Sequence, residues 1–124
     1  MDIFSYSLLL VLVQLDVHWC LATIDMESQS IVYYDSMGGN NKDALRGLSN
    51  YLLKEHKTKK GSDLDMSDWK LTIAKDIPQQ TNGSDCRVFT CIFAKYCSRK
   101  AKFTFNQSHM PYFRRRMVYE IVKN

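Results

Sequence analysis

The chain has 124 residues, 45% of them hydrophobic and 24% charged, with a formal net charge of +4. That length suits one domain with a core of its own, and the composition excludes a disordered polar chain. So modest a positive charge permits an acidic partner but does not by itself indicate nucleic acid.

The first apolar run, residues 7–15, reads Ser-Leu-Leu-Leu-Val-Leu-Val-Gln-Leu. It falls far short of the roughly 18 residues that span a bilayer. It also lacks the basic flank and cleavage site of a secretory signal, so a buried strand is expected and no membrane association. A second strand follows over 17–26 and a third over 30–35, with Glu27, Ser28 and Gln29 turning between them in an antiparallel meander. Residues 37–41 form a loop. The spacing of Ala44, Leu45, Leu48, Tyr51 and Leu52 then predicts a helix from Lys42 to Lys57. Residues 54–65 read as a solvated helix end and loop, and the Lys57–Lys60 cluster as solvated surface. Trp69, Leu71 and Ile73 alternate on one side of a further strand.

From Pro78 to Tyr96 the chain changes from loop to helix. Pro78 biases Ile77 towards extended geometry, and Asn82-Gly83 is a turn signal. Ser84 and Asp85 offer N-cap side chains. Val88, Cys91, Ile92 and Tyr96 then recur at helical spacing, with Phe89 and Phe93 beside them. Beyond a basic connection at 98–102, Phe103 and Phe105 make a short apolar segment. Pro111 opens a final helix to Val122 that carries Phe113, Met117 and Ile121.

The four cysteines, 20, 86, 91 and 97, contain no CxxC pair, and the three histidines stand at unrelated spacings. No zinc site or other cofactor is expected, and reduced thiols are the plainer reading. Cys86 begins the helix, where aligned peptide dipoles favour thiolate over thiol. That makes it a candidate nucleophile, the bland alternative being a small buried residue. His18 on the second strand and Asp35 at the end of the third supply the base and orienter such a nucleophile needs.

The order His…Asp…Gln…Cys, with its flanking motifs, resembles the SUMO-specific (sentrin-specific, Ulp-type) cysteine proteases. The matching stretches are Val-His-Trp-Cys-Leu-Ala at 17–22, Tyr-Tyr-Asp-Ser-Met-Gly-Gly at 33–39, Ile-Pro-Gln-Gln-x-Asn-Gly-Ser-Asp-Cys at 77–86, and the run at 109–117. The resemblance covers nearly the whole chain but only the C-terminal part of the family's catalytic domain. It implies an α+β, papain-like (Ulp-type) fold, N-terminally truncated, with residues 1–124 as a partial catalytic domain. It also implies thiol hydrolysis after the C-terminal Gly-Gly of SUMO, in precursor processing or deSUMOylation.

By the same resemblance Cys86 is the nucleophile, His18 the base and Asp35 its orienter. Gln80 supplies an oxyanion-hole amide beside the Cys86 backbone N–H. Trp19 lines the channel for the diglycine tail, and Met37 is a second candidate for that wall. Each has an ordinary alternative: a carbonyl-bonded strand histidine, an Asx turn, a loop amide, and core packing for Trp19. The implied partner is SUMO or a SUMO conjugate, the implied place the nucleus and also the cytoplasm. A monomer is expected, with exposed apolar surface open to self-association.

Two departures from the family stand out. Arg87 follows the nucleophile where the family has Gly, and the family's N-terminal subdomain is not matched by any part of the chain. They leave open an alternative, a catalytically impaired remnant that at most binds SUMO.

Overall fold

The computed structural model describes residues 2–15, 18–81 and 85–109. Three strands, β1 (Leu8–Leu15), β2 (His18–Asp25) and β3 (Ser30–Tyr34), form the expected antiparallel meander. A helix, α1 (Lys42–Lys60), then carries the chain to a fourth strand, β4 (Lys70–Ile73), which lies parallel to β3. The sheet order is β1-β2-β3-β4. A second long helix, α2 (Cys86–Ser98), follows. The fold is α+β, as expected.

β2 is the central buried strand. Cys20, Leu21, Ala22 and Ile24 are all buried, because the pleat sends successive side chains into cores on opposite faces. Cys20, Ala22 and Ile24 meet Ile31 and Tyr33 of β3 and Leu45 and Leu52 of α1. Leu21 instead meets Val88, Phe89, Ile92 and Phe93 of α2, together with Phe105. The two helices therefore bury their apolar stripes on opposite faces of one sheet. Phe103 and Phe105 extend the second core as a ring cluster, Phe103 lying 5.0 Å from Phe93 and Phe105 5.6 Å from it.

Several local expectations need correction. α1 continues past Lys57 to Lys60. Its stop is Gly61, left-handed at φ +70°, whose N–H caps the Lys57 carbonyl. Lys57, Lys59 and Lys60 complement the negative end of that helix. β1, expected as a buried strand, is an edge strand with no fully buried residue. Tyr51, grouped with the apolar face, is exposed, as are Leu71 on β4 and Cys91 on α2. An edge strand and a helix flank each leave one side to solvent. Asp85 occupies the N-cap position of α2 but makes no side-chain capping bond. The turn at 82–83, Ser84, Val17 and the final helix from Pro111 lie outside the described residues. No described helix is long and apolar enough to cross a membrane.

Candidate active site

The site gathers where the start of β2, the end of β3 and the start of α2 meet. His18 is the first residue of β2, Asp35 follows the last residue of β3, and Cys86 is the first residue of α2. Thr90 Oγ1 donates to the Trp19 carbonyl at 3.0 Å, tying the first turns of α2 to β2. The sheet register thus brings together His18 and Asp35 from 17 positions apart, and α2 packs against β2 with Cys86 at its head.

His18 Nε2 and Asp35 Oδ1 are 2.7 Å apart, with the carboxylate buried and the imidazole partly so. The same Asp35 oxygen accepts from the Met37 backbone N–H at 2.8 Å. Gly38 N donates to the Asp35 carbonyl at 3.0 Å, and Gly38 takes φ +76°, a region that suits glycine. A Cβ built on Gly39 would collide with Asp35 Oδ2. The glycine pair therefore lets the loop wrap closely around the carboxylate. With Nε2 engaged by Asp35, Nδ1 is the ring nitrogen left to serve a thiol.

Cys86 is buried at the head of α2. Cys20, fully buried on β2, lies close enough to feel it. Burial pushes the Cys20 thiol up to about 12, and the charges of Asp35 and Cys86 push in the same direction. Partial desolvation also raises the thiols of Cys91, whose residue surface is otherwise exposed, and of half-buried Cys97. Donor atoms of His18, Cys20 and Asp35 all fall within 4.8 Å of one another. Two ligands on a tetrahedral zinc, each roughly 2.0–2.1 Å from the ion, would stand about 3.3 Å apart. At 2.7 Å the His18–Asp35 pair is a hydrogen bond, and the donor set fits a general base better than a metal.

Gln80 reaches the site from the loop before α2. Its backbone N–H donates to the Ser36 carbonyl at 2.8 Å, and Ser36 Oγ donates to its Oε1. Trp19 lies beneath Arg87, whose guanidinium carbon is 5.7 Å from the ring centroid. Met37 exposes 57% of its surface, and its backbone touches Asp35.

The sequence reading missed Ser36, Gly39, the Met37 N–H and the neighbourhood of Cys20. Ser36 and the glycines lie inside the quoted motif at 33–39, which was the available signal. Cys20 carried none, since its nearness to His18 follows only from side-chain packing.

A carboxylate-anchored imidazole at the start of β2 and a cysteine at the head of α2, on this α+β frame, match the layout of papain-like cysteine peptidases. The chain belongs to the Ulp1 protease family: residues 1–124 match the model of its C-terminal catalytic domain. It is 46% identical over 121 residues to a sentrin-specific protease of Caenorhabditis elegans and 43% identical over 123 residues to human sentrin-specific protease 2. Each match takes in 98% of this chain but 17% and 21% of the relative, respectively. Among solved structures, the SUMO protease Ulp1 with its catalytic cysteine oxidised to a sulfonic acid superposes with a TM-score of 0.80 at 29% identity. The Ulp1 protease domain in complex with Smt3, the yeast orthologue of SUMO, gives 0.78 at 30% identity. Both superpositions cover 93% of this chain and 52% of the other.

Proposed function

We propose that this chain carries the catalytic residues of a SUMO-specific cysteine protease, which cuts after the C-terminal Gly-Gly of SUMO in deSUMOylation or precursor processing. The observation that carries the reading is the 2.7 Å bond between His18 Nε2 and the buried Asp35 carboxylate. It holds the imidazole in one tautomer beside the helix that starts at Cys86. Family membership and the Smt3 complex of the related Ulp1 domain support SUMO as partner.

The steps follow from the residues. His18 Nδ1 takes the proton from Cys86 Sγ, and the thiolate attacks the glycine carbonyl carbon. Negative charge moves to the carbonyl oxygen, where the Gln80 side-chain amide and the Cys86 backbone N–H receive it. Imidazolium His18 then protonates the departing amine, leaving a thioester on Cys86 that water hydrolyses with His18 again as base. The Asp35 carboxylate, bonded to Nε2, stabilises the imidazolium. One oxyanion donor is worth about 2.7–4 kcal/mol. Trp19 and Met37 are the proposed walls for the diglycine tail, and specificity comes from excluding residues that carry side chains.

A SUMO C-terminal vinyl sulfone tests the reading. Covalent addition to the wild type and none to Cys86→Ser is expected; equal addition to both, or none to either, overturns it. The nuclear assignment, with the cytoplasm second, rests on resemblance and is checked by imaging a tagged chain.

One observation favours the second reading, an impaired SUMO-binding remnant: Arg87 lies over the Trp19 ring face. A diglycine tail using that face must displace it. Under this reading Arg87→Gly raises turnover of a SUMO amide, and wild-type turnover near that of Arg87→Gly excludes it.

A further inference from the structure

We propose that the groove between α1 and the outer edge of β4 docks an extended peptide segment of a partner protein. The segment carries branched aliphatic residues flanked by aspartate or glutamate, and it adds to the sheet as a further strand. Neither Cys86 nor His18 lines this groove, so the inference stands apart from the thiol chemistry.

Backbone bonding defines the edge. Among the described residues β4 pairs only with β3. Lys70 N donates to the Gln29 carbonyl at 3.0 Å, and Ala74 N to the Tyr33 carbonyl at 2.8 Å. Backbone groups alternate sides along a strand, so Thr72 bonds towards β3 with them. Leu71 and Ile73 turn their N–H and C=O groups outward. Such a row is a template for strand addition.

Side chains define the occupant. Leu71 and Ile73 stand opposite Ile31 and Tyr33, so they share the sheet face that α1 covers. Ile73 packs into that core, while Leu71 is left 41% exposed. With Leu45 of α1 they line an open groove of about 860 Å³. That volume suits several residues of a peptide rather than one side chain. The charged lining is Lys42 and Arg46 from α1 and Lys75 beyond β4, against one carboxylate, Asp76, among the described residues. Asp43 holds Arg46 at 3.3 Å, but both side chains are largely exposed, so that pair is weak enough to exchange for an incoming acid. The aliphatic lining selects apolar side chains, and the three cations select acids beside them. A second copy of this chain fits poorly. Lys70 and Lys75 flank the strand, and edge-to-edge pairing of two copies would set lysine against lysine.

The probe is a fluorescein-labelled peptide, Asp-Glu-Val-Ile-Val-Glu-Asp, titrated with the folded chain and read by anisotropy. Saturable binding is expected, and none of a peptide with lysine in place of each acid. Arg46→Glu and Leu71→Asp should each weaken binding by about tenfold or more. Lys54→Glu, on the same helix but outside the groove, makes the same change in net charge as Arg46→Glu and should lose far less. Peptides N-methylated at alternate positions test the strand. Methyls on the amides that face β4 abolish binding, and methyls on the other set leave it. Absence of binding to the wild type overturns the proposal, as does equal binding of the two methylated peptides. Equal loss in Arg46→Glu and Lys54→Glu reduces the effect to general charge attraction and overturns it too.

Discussion

Ser36 and Gln80, 44 residues apart in the chain, hold each other through both backbone and side chain. Gln80 N donates to the Ser36 carbonyl at 2.8 Å, and Ser36 Oγ donates to Gln80 Oε1. Engaging the amide oxygen fixes which end of the Gln80 side chain is acceptor and which is donor, and the donor end is the one an oxyanion requires. Ser36 also directly follows Asp35, so one short loop positions both the proposed orienter of the base and the proposed oxyanion donor.

Ser36→Ala is therefore expected to lower kcat by about tenfold with little change in KM, since the donor loosens only where charge develops. Gln80→Ala, which removes the donor outright, should cost roughly 100-fold or more. Steady-state kinetics on a fluorogenic SUMO amide separate the two constants. A Ser36→Ala enzyme with wild-type kcat would show that Gln80 is held by other means.

Gly39→Ala places a methyl against the Asp35 carboxylate. Turnover should fall more than tenfold while the fold survives, because the carboxylate, and with it the His18 tautomer, must shift. Gly47 is the control. It lies inside α1 with nothing within 4 Å of a built Cβ. Gly47→Ala should stabilise the chain by about 0.5–1 kcal/mol and leave kinetics untouched. Thermal melts and kinetics on the two variants make the comparison.

The cysteines should differ sharply in alkylation at neutral pH. Cys86 labels first. Cys20 stays protonated because burial pushes its thiol up to about 12, and Cys91 and Cys97 are also raised by partial desolvation. The sign for stability follows. The unfolded chain loses the Cys20 proton near the thiol's ordinary value of 9.0, the folded chain only near 12. This contribution is whole below about pH 9 and is lost as pH rises through that window. Cys20→Ala should flatten the alkaline fall in Tm. Equal labelling of all four thiols in folded protein would remove the case for a special Cys86.

Strand β1 leaves Leu10, Leu12 and Leu15 exposed at 41%, 57% and 40%. Among the described residues it pairs only with β2, so its outer edge presents unpaired backbone groups beside an apolar stripe. The chain should bind a hydrophobic dye and self-associate with rising concentration, and Leu12→Lys should reduce both. Light scattering decides it; a monodisperse monomer at high concentration would show that the stripe is not sticky.

Periodicity and turn chemistry were enough to place the strands of the meander, the first core helix and the helix that Cys86 opens, because those signals are local. Ordered motifs likewise singled out His18, Asp35, Gln80 and Cys86 as candidates. Other features were set at longer range. Gly61, rather than the end of the apolar stripe, stopped α1. Tyr51 and Cys91 stood on the right helices but faced solvent, since helical spacing does not say how wide a face the sheet can cover. Ser36 gained its part only when the loop before α2 came back against the end of β3. Arg87 differs from glycine in the sequence, but the position of its charge over Trp19 depends on the angle at which α2 crosses β2. Residue type sets what each group can do; distances of a few ångströms between groups far apart in the chain, fixed by packing two helices on opposite faces of one sheet, set which groups act together.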